Sequence, residues 1–239
     1  MQLPFTLFAS DDHFTFFVTL FGLKPELMHV VMAALVTAFI AYMSIRVHRS
    51  YKSAKNPLIP EATLSFRNLV ELFIELLNNM FRGLLGDQTG RYFPLLATIF
   101  IYVFVSNLTG LIPGFLPPTS HPSTNFAISI TVFLFYNYEG VRENGVGYLK
   151  HFLGPVLFLA PMMVILEIIQ HVVRPASLGL RLLGNISGDH MVLGLFSDLT
   201  PLILPVIFFG LGLFVSFIQA FVFTLLSTIY ISMAIAHDH

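Results

Sequence analysis

Between Phe152 and Ala236 the chain is almost continuously apolar, and its one clear turn signal is Ser197-Asp198-Leu199-Thr200-Pro201, a cap residue with proline just beyond. A water-soluble fold has no place for so long an apolar run, so this stretch constrains everything else. It reads as a helical hairpin with arms over 152–197 and 201–236. At 1.5 Å per residue the second arm would be about 54 Å long, nearly twice the ~30 Å hydrocarbon core of a bilayer. Either each arm is one steeply inclined helix, or each breaks near Pro175 and near Gly210 or Gly212. Composition agrees with a lipid solvent: the chain is 56% hydrophobic and only 10% charged, where soluble domains carry roughly 25% charged residues.

The rest of the chain supplies shorter spans and the signs that orient them. Residues 26–45 are apolar and long enough to cross, and Arg46, Arg49, Lys52 and Lys55 follow at once. The positive-inside rule makes that cluster cytoplasmic, which leaves segment 1–25 outside. Without a basic leader or a small-residue cleavage site, the span is expected to be retained. Over 61–86, Leu64, Leu69, Leu72, Phe73, Leu76, Leu77 and Met80 recur near helical spacing, interrupted by Arg67, Glu71, Glu75 and Asn78. That pattern predicts an interfacial amphipathic helix ended by Gly86. A second span covers 92–112, an external loop without Lys or Arg covers 113–124, and a third span covers 125–138. Arg142 and Lys150 then mark the inside again, and the C-terminus falls in the cytoplasm. The expected fold is all-α: a single polytopic membrane domain over 1–239 with about five crossing helices and one interfacial helix, without internal repeat or linker.

Several function classes are excluded. A net charge of -1 carries no basic footprint for nucleic acid. The absence of cysteine removes disulfides, thiolate metal sites and cysteine nucleophiles. No phosphate loop, nucleophile elbow or zinc motif provides a soluble active site, so neither cofactor nor metal is expected. A secondary ion transporter and a respiratory-complex membrane subunit are the alternatives: the first would usually show two similar halves, which are not seen, and the second paired haem ligands, for which His171 and His190 are too isolated.

What remains is a polar stripe inside the first arm. Glu167, His171, Arg174 and Arg181 stand at spacings of four, three and seven, and Asn185 four further on, all on one helix face. Charge at membrane depth is costly and marks a cavity or pathway. Arg174 is explained by pairing with Glu167 near the inner surface. Arg181 has no carboxylate within helical reach, so its counter-charge comes from elsewhere. Counted from the turn near Leu199, an antiparallel hairpin brings Arg181 level with Gln219, whose amide can hold a guanidinium or simply glue the arms. Asp189 and His190 lie between Arg181 and the outer turn, and Gly179, Gly184 and Gly188 would let another helix approach.

The segments Ser177-Leu-Gly-Leu-Arg-Leu-Leu-Gly-Asn-Ile-Ser-Gly-Asp-His190 and Ile218-Gln-Ala-Phe-Val-Phe-Thr-Leu-Leu-Ser-Thr-Ile-Tyr-Ile-Ser-Met-Ala234 resemble subunit a of the F-type ATP synthase, bacterial type. Asn107 with its Leu-Pro exit, and Glu167 ahead of Arg174-Pro175, extend the resemblance over most of the chain beyond residue 90. The resemblance implies a proton-conducting stator held against a rotating ring of small proteolipid c subunits and joined to peripheral-stalk b subunits. It also implies two offset half-channels separated by Arg181, with Gln219 beside it. Glu167 would belong to the inner half-channel, and Asn107 and His190 to the outer one. It further implies that the last two helices are long, intact and strongly tilted. One departure stands out: many relatives carry Glu where this chain has His190, and His where it has Gly212. Asp189 with His190 is the expected replacement.

Overall fold

A computed structural model of the chain describes residues 25–53, 65–112, 115–145, 147–148, 160–199 and 203–235. Six long helices account for nearly all of them: α1 (Pro25–Ser53), α2 (Phe66–Leu85), α3 (Thr89–Thr109), α4 (Pro122–Asn144), α5 (Ala160–Leu199) and α6 (Ile203–Ile235). Their ends follow ordinary capping chemistry. Ser65 accepts from the backbone N–H of Asn68 to start α2, and Gly86, at φ 56°, closes it by donating to the Arg82 carbonyl. Pro122 opens α4 at a position where its missing N–H costs nothing, and Gly145, at φ 53°, ends it. Four helical segments are long and apolar enough to cross a membrane: 27–52, 66–109, 161–188 and 207–235. The described residues are thus all-helical and polytopic.

The hairpin arms settle the question of length. α5 runs 40 residues straight through Pro175, and α6 runs 33 residues through Gly210 and Gly212, so the broken-arm alternative fails. An intact α5 is about 60 Å long, twice the hydrocarbon core, and its segment apolar enough to cross is 161–188. The other elements keep the expected order with shifted ends. α1 stays helical to Ser53 because Arg46 to Lys52 contains no breaker, and Arg46 donates to the Tyr42 hydroxyl at 3.0 Å one turn back. α4 continues past the anticipated end at Tyr138 to Asn144, and, unlike the third span expected over 125–138, it is not among the four segments apolar enough to cross, with Asn125, Ser129 and Glu139 buried along it. The expectations for 1–24, 61–64 and 152–159 lie outside the described residues.

The core lies where α3, α4, α5 and α6 meet. Tyr92, Leu96, Phe100 and Val103 of α3 pack with Val132 and Tyr136, with Leu178 and Leu182, and with Ala220, Phe223 and Ile231. Outside this core the surface is apolar: Leu69 and Leu72 on α2, Val172 and Leu180 on α5, and Ile207 and Phe214 on α6 are all exposed. Such a surface suits lipid or a partner.

At the α3–α4 loop-distal end a polar collar fixes the helices. Arg91 pairs with both Glu139 and Glu143. Glu139, its side chain only 5% exposed, also accepts from the Tyr92 hydroxyl at 3.1 Å and lies 3.6 Å from Arg142. Asn144 donates to the Ala234 carbonyl at 2.9 Å and Ser232 to the Leu84 carbonyl at 3.2 Å, which ties α4 and α2 to the end of α6. At the opposite end the His29 ring of α1 stacks on His121, with centroids 4.0 Å apart. Burial holds the His121 imidazole below its ordinary range, and His29 beside it adds to that.

Candidate functional site

Arg181 lies midway along α5, and the buried side chains around it define where it points. Leu178 and Leu182 are 2% and 0% exposed and anchor one face of α5 in the core, whereas Leu180, Arg181, Gly184 and Asn185 are exposed. Among the described residues the guanidinium makes no hydrogen bond or ion pair. An arginine costs least where it is paired or solvated, and this one stands on an apolar outward surface.

One turn further on, Asn185 donates its side-chain amide to Oε1 of Gln219, which is itself 3% exposed. The register counted from the sequence set Gln219 level with Arg181; the bond found is with Asn185 instead. The reason is the turn. α5 continues to Leu199 and α6 begins at Ile203, so the midpoint of the hairpin falls after Leu199 and the level partner of Gln219 moves toward the turn. The other amide atom of Gln219, Nε2, is buried without a partner among the described residues. A cavity of about 140 Å³ adjoins the pair, lined in part by Asn107, Leu111, Asn185, Gly212, Ser216 and Gln219. Its polar groups are amides and a hydroxyl, which can order water but cannot release a proton at neutral pH.

Asn107 reaches the cavity from α3 and is held from behind. Its Oδ1 accepts from the Thr119 hydroxyl at 3.1 Å, and Asn125 donates to the Thr119 carbonyl at 2.8 Å. Gly212 leaves no room for a larger group as the side chains now stand, since a Cβ there would lie 2.5 Å from Cδ2 of Leu111. Asp189 and His190 are helical residues between Asn185 and the turn; their side chains lie outside the described set. Of the three glycines, Gly179 makes a close approach, with its virtual Cβ 3.1 Å from the Phe126 ring, whereas Gly184 and Gly188 face open space.

On the other side of Arg181 the stripe forms a second polar cluster. Arg174 Nη2 lies 3.4 Å from Glu167 Oε1 and its guanidinium sits over the Tyr230 ring at 5.6 Å. His171 Nε2 is 2.7 Å from Asn137 Oδ1, which also accepts from the Tyr148 hydroxyl at 2.9 Å. The structure therefore brings Asn107, Asn185 and Gln219 together on one side, and Glu167, His171 and Arg174 on the other, with Arg181 between. Sequence reasoning missed Asn137, Tyr148, Thr119 and Asn125. The only signal for them was a polar residue at the edge of an apolar run, which also marks a simple span boundary.

Long apolar helices carrying an outward, permanently charged arginine between two polar clusters define an ion-translocating membrane subunit. The comparisons give the family. A family model described as ATP synthase A chain matches residues 26–232. The "ATP synthase subunit a" of Bdellovibrio bacteriovorus is 43% identical over 219 residues, which cover 91% of this chain and 96% of the relative. "ATP synthase subunit a 2" of Syntrophotalea carbinolica is 41% identical over 243 residues, covering 100% of both. The "ATP synthase subunit a" of a Sulfurihydrogenibium species is 39% identical over 209 residues, or 87% of this chain and 97% of the relative. The chain belongs to the ATP synthase subunit a family.

Proposed function

We propose that this chain is the proton-translocating stator of the membrane sector of an F-type ATP synthase in a bacterial plasma membrane, a subunit that performs no bond chemistry of its own. The observation that carries the reading is Arg181: exposed on α5, backed by buried Leu178 and Leu182, and without a counter-charge among the described residues. Its partner is a carboxylate on a rotating ring of proteolipid c subunits, which packs on the outward face of α5 and α6. Peripheral-stalk b subunits hold the chain against rotation.

A guanidinium stays charged at any physiological pH, with a pKa above about 12, so it stabilises a ring carboxylate that must lose its proton and cannot itself relay that proton. The outer half-channel runs by Asn107, Asn185 and Gln219, with Asp189 and His190 toward the turn. The inner one runs by His171 and Glu167. A ring carboxylate protonated from one side turns through lipid and releases to the other, and each charge crossing the potential is worth about 2.3 kcal/mol per 100 mV. The segment 1–25 lies outside and the C-terminus inside.

The absence of cysteine allows a direct test of the docking face. Cysteines placed at Leu180 and Gly184 should form disulfides with cysteines beside the ring carboxylate in the assembled enzyme, and those at Leu178 and Leu182 should not. The reverse pattern would place the ring elsewhere. Labelling of single cysteines at Ser10, Ser53, Ser120 and Asp238 reads the orientation: Ser10 and Ser120 from outside, the other two from inside.

A further inference from the structure

The cations of this chain divide by what they face. Arg67, Arg91, Arg142 and Arg174 each meet a carboxylate. Arg46, Arg49 and Lys52, near the Ser53 end of α1, are exposed and meet none among the described residues. Glu71 of α2, which touches Tyr51 at this end of α1, is held by Arg67 at 2.9 Å. Residues 27–45 rise about 28 Å, close to the ~30 Å hydrocarbon thickness, so Arg46 and the turns after it stand at headgroup depth. These cations also continue an apolar stripe. Leu35, Phe39, Tyr42, Arg46 and Arg49 follow at spacings of four, three, four and three, which is one helix face, and Lys52 comes one turn later. Leu35, Phe39 and Tyr42 are 43%, 50% and 53% exposed, while Met32 and Val36 face the protein. Arg46 is folded back along the stripe: its Nε donates to the Tyr42 hydroxyl at 3.0 Å, and its guanidinium carbon lies 5.5 Å from the ring centroid. That contact takes Nε and leaves both Nη groups, a fork that can grip a phosphate through two parallel hydrogen bonds. The tyrosine hydrogen is left to donate as well.

We propose that this end of α1 is a binding site for an anionic phospholipid, whose phosphate is gripped by Arg46 with Arg49 and Lys52 beside it and whose acyl chain lies along Tyr42, Phe39 and Leu35. The charges select the lipid. A zwitterionic headgroup brings an ammonium with its phosphate, and the stripe holds no carboxylate to receive it. An anionic headgroup brings net negative charge alone, and each cation at this depth adds to its attraction. An acidic protein segment would suit the cations but not the apolar half of the stripe, which runs straight into the hydrocarbon. The site stands apart from Arg181, and it does not depend on the direction in which the chain crosses, because either leaflet presents headgroups at this depth.

The test uses the assembled enzyme carrying a fluorophore on Ala38→Cys, an exposed position beside Phe39, with the unsubstituted enzyme as blank. It is placed in phosphatidylcholine vesicles containing a minor share of lipid brominated on its acyl chains. Bromine quenches on contact, so brominated phosphatidylglycerol against brominated phosphatidylcholine compares the two lipids at the stripe. Phosphatidylglycerol should associate about tenfold or more tightly. Arg46→Gln, Arg49→Gln and Lys52→Gln should each lower that preference about two- to fivefold, and the triple variant should abolish it. Tyr42→Phe and Arg46→Lys keep the net charge that insertion depends on, and each should lower the preference about twofold or more, the loss of one hydrogen bond of the grip. Equal quenching by the two lipids in the parent enzyme, or a preference that persists in the triple variant, would overturn the proposal. A preference unchanged in both Tyr42→Phe and Arg46→Lys would overturn it too, even where the triple variant fails to assemble.

Discussion

Asn185 of α5 donates its side-chain amide to Gln219 of α6, one helical turn from Arg181 on the same face. The bond joins the two hairpin arms beside the arginine and leaves Gln219 Nε2 buried beside the cavity. A leucine in place of Gln219 therefore removes a hydrogen bond but no charge.

Gln219→Leu and Asn185→Leu should each lower proton-driven ATP synthesis about two- to tenfold, corresponding to about 0.5 to 1.5 kcal/mol for the shared bond. Because both remove the same interaction, the double variant should be little worse than either single one. Rates measured for all four members of the cycle check this, and full additivity would mean the two residues act independently.

At the polar collar, Arg91→Ala strands Glu139, whose side chain is only 5% exposed. A broken buried pair costs about 3 to 5 kcal/mol, and here the loss is smaller because Tyr92 at 3.1 Å and Arg142 at 3.6 Å remain. Glu143→Ala removes a more exposed partner and should cost about 1 kcal/mol or less. Thermal inactivation of the assembled enzyme should rank Arg91→Ala well below Glu143→Ala. Equal losses would show that Glu139 is not the buried centre of the collar.

The His29–His121 stack carries a pH dependence whose sign follows from burial. With the His121 imidazole held below its ordinary value, the unfolded chain binds that proton more readily than the native one. The contact is at full strength above about pH 6.5 and weakens as pH falls through the lowered value. Thermal stability should therefore decline on acidification from about pH 6.5 down to the lowered value and level off below it, and His121→Phe, which keeps a ring against His29, should decline less. Identical profiles would remove the stack from the account.

The sequence carried the architecture well because lipid imposes it: apolar runs, flanking cations and Gly or Pro boundaries located every described long helix to within several residues. Arg181 was legible for the same reason, as a charge with no local partner. The helix ends were less so, since α1 and α4 continue through polar residues that neither break a helix nor demand one. The pairing of Asn185 with Gln219 could not be counted from Leu199, because a shift of two residues in the turn moves the facing partner by a helical turn. The Asn137–His171–Tyr148 group was hidden for a different reason: it joins residues from separate elements, and no periodicity within one helix records it.

Arg181 is the charge that a ring carboxylate would meet, and removing it tests the stator reading. Arg181→Ala should abolish proton-driven ATP synthesis in vesicles containing the assembled enzyme, while passive proton flux persists, because a ring carboxylate could then pass between the half-channels still protonated. Arg181→Lys should rescue poorly, since an ammonium is compact, strongly hydrated and loses its proton more readily when buried. Synthesis and flux measured together give the answer: lost coupling with retained leak is the predicted result, and near-normal coupled synthesis by Arg181→Ala would contradict the account.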